Sequence, residues 1–158
     1  MARGRWISTS SPLQTFEIGM KIARSLKPGD IVLLVGPMGS GKTVLASGLA
    51  RGLGIEEDVQ SPSFVIASTY SLPGGVYFHH IDLYRISGEE EMATAGIMDY
   101  IGDDSISVVE WGEKLMGFIR EYLMVEIEMG RGSRRRMRIS GHGERGEELA
   151  RMVEGIGP

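Results

Sequence analysis

The chain has 158 residues, 42% of them hydrophobic, and a formal net charge of −4 at pH 7. That length suits a single domain over residues 1–158 with one core, and the acidic balance gives no general pull toward nucleic acid. The absence of cysteine rules out disulfides and thiolate metal sites, and no apolar stretch approaches the roughly 20 residues of a membrane span.

Trp6-Ile7-Ser8 reads as a short first strand. Ser11-Pro12 opens a helix whose apolar face is Phe16, Ile18, Ile22, Ala23 and Leu26, and Pro28-Gly29-Asp30 ends it. The apolar run Ile31–Val35 predicts a buried strand. Gly36-Pro37-Met38-Gly39-Ser40-Gly41-Lys42-Thr43 follows, and then a helix over Thr43–Leu53. Gly54–Asp58 is a polar loop leading to Val59-Gln60-Ser61-Pro62-Ser63. Strands are expected over Phe64–Tyr70 and Val76–Ile81, joined by the turn signal Leu72-Pro73-Gly74-Gly75.

Residues 88–101 read as one helix. Ile106–Val109 is a buried strand, with a helix after it running through Phe118 and Ile119. Strands over Tyr122–Ile127 and Arg134–Ile139 flank Gly130-Arg131-Gly132-Ser133, and a helix near Glu144–Val153 ends the series. On the second of those strands Arg135, Met137 and Ile139 share one face, while Arg134, Arg136 and Arg138 share the other. The order of elements predicts an α/β fold of the P-loop NTPase type: three layers around a mixed central β-sheet.

The segment Gly36–Thr43 fits the phosphate-loop pattern G-x-x-x-x-G-K-[S/T] in its required setting between a strand and a helix. Gly36, Gly39 and Gly41 suit a tight nest whose amides face an anion at a helix N-terminus. The Lys42 ammonium can reach the β- and γ-phosphates, and the Thr43 hydroxyl can ligate Mg²⁺. The loop also needs an acid at the tip of a neighbouring strand. Asp82 and Glu110 both stand there, each with helix capping or a surface charge as the plainer reading.

Ser61-Pro62-Ser63 occupies the place of a γ-phosphate-sensing segment or of an ordinary proline turn. His79 and His80 are adjacent on one strand and so face opposite ways, which argues against a shared zinc ion. Trp111 reads equally as core or as a partner contact. The arginines at 131, 134, 135, 136 and 138 read as a solvated strand face or as a local basic contact with a nucleic acid or nucleotide.

Together the phosphate loop, Ser-Pro-Ser-Phe, His-His-Ile-Asp-Leu-Tyr-Arg and Val-Val-Glu-Trp-Gly-Glu-Lys resemble the bacterial TsaE (YjeE) family over about Thr15 to Arg151. Those are P-loop ATPases required for threonylcarbamoyladenosine modification of tRNA. The resemblance implies ATP and Mg²⁺ as cofactors. Residues Gly39, Ser40, Gly41, Lys42, Thr43 and Val44 would wrap the phosphates, Thr43 and Glu110 would hold the metal, and Asp82 would serve hydrolysis. It implies a switch or partner role for Ser63 and Trp111, and a base-binding surface that brings in Pro12 and Arg134. It further implies TsaB and TsaD as partners, contact with tRNA only through their complex, and a cytoplasmic location.

Three departures stand out. Ser63 replaces a Thr, Gly112 replaces a Pro and is expected to loosen the turn after Trp111, and Pro37-Met38 replaces Asp-Leu. Bottom-up, two other readings stay open: a small-molecule kinase, and a nucleotide-gated binding module with incidental hydrolysis.

Overall fold

The computed structural model describes residues 4–62 and 65–158. Among them a seven-stranded sheet carries the strand order β1-β7-β6-β2-β5-β4-β3. Its centre is β2 (Ile31–Val35), hydrogen-bonded in parallel to β5 (Ser105–Glu110) on one side and to β6 (Tyr122–Met129) on the other. Both β2 and β5 are buried along almost their whole length, as strands covered on two faces must be. Next outward lie β4 (Val76–Asp82), parallel to β5, and β3 (Ala67–Leu72), antiparallel to β4. On the other flank β7 (Arg135–His142) pairs antiparallel with β6, and β1 (Trp6–Thr9) pairs antiparallel with β7.

Two apolar layers sandwich this sheet. Ile18 and Ile22 of α1 (Pro12–Ala23), Leu45 and Leu49 of α2 (Lys42–Gly52) and Leu149 of α4 (Gly143–Met152) pack on Val32, Leu34, Phe78 and Val125. On the opposite face Met92 of α3 (Gly88–Thr94), Ile97 and Leu115 pack on Leu33, Ile81 and Val109. Alternate residues of one strand thus feed two cores. α1 begins as its sequence demands, with Pro12 in the first turn and the Ser11 hydroxyl accepting the Gln14 amide. No helix among the described residues is long and apolar enough to cross a membrane.

Three expectations are corrected. The helix expected over 88–101 is two pieces, α3 and a 3₁₀ turn over Ile97–Tyr100. Between them Gly96 takes φ 70°, a left-handed value that ends an α-helix. After β5 there is only a 3₁₀ turn, Gly112–Leu115, and no helix through Phe118 and Ile119. Here the Lys114 ammonium donates to the carbonyls of Leu83, Tyr84 and Ile86 at 2.8–3.0 Å, and that short segment serves as a brace for the loop after β4. β3 starts at Ala67, three residues later than expected; Ser63 and Phe64 lie outside the described residues.

Candidate functional site

The C-terminal ends of β2, β4 and β5 share one edge of the sheet. In register, Asp82 pairs with Glu110, and Glu110 pairs with Leu34, two residues before the Gly-rich loop. Gly36–Thr43 leaves β2 at this edge and enters α2. Gly39 at φ 79° and Gly41 at φ 105° adopt the left-handed angles that turn successive amides inward. A cleft of about 390 Å³ opens here, lined by Gly39, Gly41, Lys42, Thr43 and Val44 from the loop and helix. Ser61, Asp82, Tyr84, Glu110 and Trp111 complete its walls, together with Met38.

The Thr43 hydroxyl donates to Glu110 Oε1 at 2.9 Å and lies 3.2 Å from Oε2. Glu110 itself is buried, 3% exposed, and its Oε2 also meets Nε2 of His80 at 2.6 Å. A carboxylate only accepts, so Nε2 carries the proton in that bond, and the imidazole turns its other nitrogen, Nδ1, into the interior. Nδ1 has no hydrogen-bond partner among the described residues. His79 points the other way, toward the Thr69 hydroxyl at 2.9 Å and the edge of the Tyr100 ring. The two histidines are therefore on opposite faces of β4.

Asp82 is aimed by two donors: the Ser61 hydroxyl at 2.6 Å on Oδ2 and the Tyr84 amide at 3.0 Å on Oδ1. Lys42 is buried, and its ammonium donates to the carbonyls of Gly36 at 2.6 Å and Pro37 at 2.9 Å. It also sits 4.1 Å from the centre of the Trp111 ring, a cation–π contact. Burial lowers its pKa below the ordinary lysine value, and the carboxylates of Glu110, Glu113 and Asp82 work against that shift.

Trp111 reaches Lys42 through an unusual backbone. At φ 58° it is the one non-glycine residue in the left-handed region among those described, at a cost of about 1–2 kcal/mol. Its ring leans on Tyr84 at 5.3 Å. The next residue, Gly112, is buried against β2, where an added Cβ would stand 2.6 Å from the Leu33 Cβ and 2.9 Å from its Cα. The turn after Trp111 is thus tightly packed, not loosened as expected.

Other residues singled out in the sequence stand differently. Gly36 and Ser40 crowd one another, and a Cβ on Gly36 would come 2.7 Å from the Ser40 hydroxyl. Ser40 is fully buried, and its amide donates to the Pro37 carbonyl at 3.1 Å. Pro12 is exposed at the start of α1. Arg134 is exposed in the β6–β7 turn, with its amide donating to the Arg131 carbonyl. The neighbouring Arg135 instead reaches the loop, donating from Nε to the Ser40 carbonyl at 3.0 Å and from Nη2 to the Gly39 carbonyl at 3.2 Å. Sequence reasoning missed both Arg135 and the His80 contact. The clue to Arg135 was its place on the same strand face as Met137 and Ile139, which belong to the core on the side of α1, α2 and α4.

These donors fit a magnesium–triphosphate group. Thr43 and Glu110 offer hard oxygens side by side, and the loop offers amides and an ammonium to an anion. Among the described residues no three His, Asp or Glu side chains cluster to hold a metal by themselves. Magnesium in such sites is held by one or two protein oxygens together with phosphates and water.

Comparison with known proteins finds a family model, relatives of similar length and a solved structure of similar fold. The family model described as "Threonylcarbamoyl adenosine biosynthesis protein TsaE" matches residues 9–138. A protein of Streptomyces coelicolor named tRNA threonylcarbamoyladenosine biosynthesis protein TsaE is 39% identical over 135 residues, covering 82% of this chain and 91% of the relative. Its namesake from Bacillus subtilis is 33% identical over 150 residues, covering 94% and 92%. The crystal structure of Bacillus subtilis YdiB superposes with a TM-score of 0.78 at 28% identity, covering 97% of this chain and 95% of that one.

Proposed function

The chain belongs to the TsaE family, and from that premise we propose that it is a Mg²⁺-dependent ATPase serving threonylcarbamoyladenosine formation in tRNA. In this reading it works in the cytoplasm as one domain with TsaB and TsaD proteins, and meets tRNA through their complex. The observation that carries the proposal is the contact between Thr43 and Glu110. Residues 67 positions apart bring two hard oxygens together at 2.9 Å, at the mouth of a phosphate loop.

Each residue then has a task. The loop amides and the Lys42 ammonium bind the β- and γ-phosphates; to do so Lys42 exchanges the carbonyls of Gly36 and Pro37 for phosphate oxygens. Thr43 and Glu110 would hold the magnesium, which when bound neutralises charge on the phosphate oxygens. Asp82, fixed by Ser61 and Tyr84, orients a water for in-line attack or takes its proton. Trp111 and Tyr84 wall the cleft beside Lys42.

Arg85 is the only arginine between Leu53 and Glu110, and it is exposed. A kinase lid with its phosphate-clamping arginines is not built there, which favours water over a metabolite as acceptor. Slow turnover by the isolated protein is expected, because that span offers no arginine other than Arg85 to act as a finger in cis.

The test is calorimetry and ATPase assay of the purified chain with Mg²⁺, with and without TsaB and TsaD, scored also for modified adenosine in tRNA. Lys42→Ala abolishes ATP binding, whereas Asp82→Ala and Glu110→Ala retain it and lose hydrolysis. Absence of ATP binding by the wild type refutes the proposal. Equal hydrolysis by wild type and Asp82→Ala removes Asp82 from the mechanism.

A further inference from the structure

We propose that Arg135 is a positioning residue for nucleotide binding: its guanidinium latches the phosphate loop to the β6–β7 hairpin and holds the loop's amides toward the triphosphate. The inference rests on the nucleotide-binding reading of the site and adds a residue that does not itself line the cleft.

All three guanidinium nitrogens are used. Nε donates to the Ser40 carbonyl at 3.0 Å and Nη2 to the Gly39 carbonyl at 3.2 Å, both in the middle of the loop. Nη1 donates to the carbonyls of Gly132 and Arg134, each at 2.8 Å, in the hairpin turn. Four carbonyls from two segments, some 95 residues apart in sequence, converge on one planar cation. Of these bonds the one to the Ser40 carbonyl is partly buried and so partly shielded from water, while the other three are exposed.

A peptide unit that aims its N–H inward must aim its C=O outward. The Ser40 carbonyl shares its peptide unit with the Gly41 amide, at a left-handed residue of the nest, while the Gly39 carbonyl shares one with the Ser40 amide, which closes a turn on the Pro37 carbonyl at 3.1 Å. Left to water, that Gly-rich stretch has many other conformations open to it. Arg135 removes them by taking both carbonyls in a fork of fixed geometry, which a lysine cannot reproduce. The backbone behind it is firm. Arg135 is the first residue of β7 and pairs with Met129 of β6 on one side and Thr9 of β1 on the other. The Thr9 hydroxyl in turn bonds that of Thr15 at 2.8 Å, and the Thr15 methyl stands 3.7 Å from where a Cβ on Gly41 would lie. The loop is thereby braced from behind by β7, β1 and α1. A cation placed there also adds to the field that attracts phosphate.

The experiment compares wild type, Arg135→Met, Arg135→Gln and Arg135→Lys. Deuterium exchange of the segment 36–44 is measured without nucleotide, and ATP affinity is measured by calorimetry with Mg²⁺. Expected are faster exchange of that segment in the Met and Gln variants and an ATP dissociation constant raised about tenfold, a loss of about 1.4 kcal/mol. The Lys variant recovers part of the affinity through its charge while its loop still exchanges fast. Unchanged exchange in a folded Met or Gln variant overturns the proposal, whatever the affinity. So does a Lys variant that matches wild type in both measurements, because charge alone would then suffice. Because exchange is read without nucleotide, failure of wild type to bind ATP would count against the proposed ATPase function and leave the latch to be decided by the exchange data.

Discussion

Nε2 of His80 lies 2.6 Å from Oε2 of Glu110, inside the sheet, where the imidazole has no exposure at all. Adjacent parallel strands place the two side chains on the same face, with His80 opposite Val108 and Glu110 opposite Asp82. The histidine leaves Oε1 to the Thr43 hydroxyl and fixes the carboxylate plane relative to the loop. Partners that orient a metal-holding carboxylate typically contribute 10–100-fold to metal affinity or activity. His80→Leu is therefore expected to raise the Mg²⁺ concentration needed for ATP hydrolysis by roughly tenfold or more. Binding of ADP in EDTA is expected to change little. Titrating Mg²⁺ against fixed ATP in both proteins checks this; equal magnesium dependence would deny His80 the role.

The Lys42 ammonium over the Trp111 ring makes that indole a reporter. If Lys42 leaves the ring for phosphate oxygens, Trp111 emission changes on adding ATP. Trp6→Phe is expected to keep the response and Trp111→Phe to lose it. Fluorescence titration of the two variants distinguishes the residues.

Arg145 holds α4 against the start of β2. Its Nε and Nη2 donate to the two oxygens of Asp30 at 2.8 and 2.7 Å, and the Asp30 side chain is only 2% exposed. Those bonds raise the arginine's already high pKa further. Arg145→Met strands a buried carboxylate, so a loss of roughly 3 kcal/mol in stability is expected. For a chain of this size that is about 6–12 °C in Tm. Urea and thermal unfolding measure it, and Asp30→Asn combined with Arg145→Met is expected to recover part of the loss.

Acid stability has a contribution from His79. Burial lowers its pKa below the usual 6.5, and the Asp104 carboxylate only partly opposes this. Between the folded value and 6.5 the unfolded chain binds the proton more readily, so stability falls as pH drops through that window. His79→Asn is expected to lose less stability than wild type between pH 7.5 and pH 5. Parallel urea curves at the two pH values decide it.

The phosphate loop was legible from sequence because it is a local device. A strand, three glycines at set spacing and a helix start are contiguous, and each residue's conformational preference points the same way. Asp82 and Glu110 were legible as acids at strand ends, but the residues alone did not separate them; only the family resemblance implied a different task for each. Only the register decides that Glu110 faces Thr43 while Asp82 turns to Ser61 and the Tyr84 amide. Helix propensity over 88–101 and around Phe118 overstated the helices, since Gly96 and the packed Gly112 break the chain for reasons of backbone angle and close approach.

From the order of its residues alone, the chain specified an α/β layering, a Gly-rich nest at a helix start and acids at two neighbouring strand ends. Periodicity and turn chemistry act over a few residues, and those features need no more. The tertiary structure chose Arg135 over Arg134, gave Glu110 a buried histidine, and packed Gly112 onto Leu33. Each of these depends on which strand lies beside which, and that order is set by burying two apolar faces at once across distant segments.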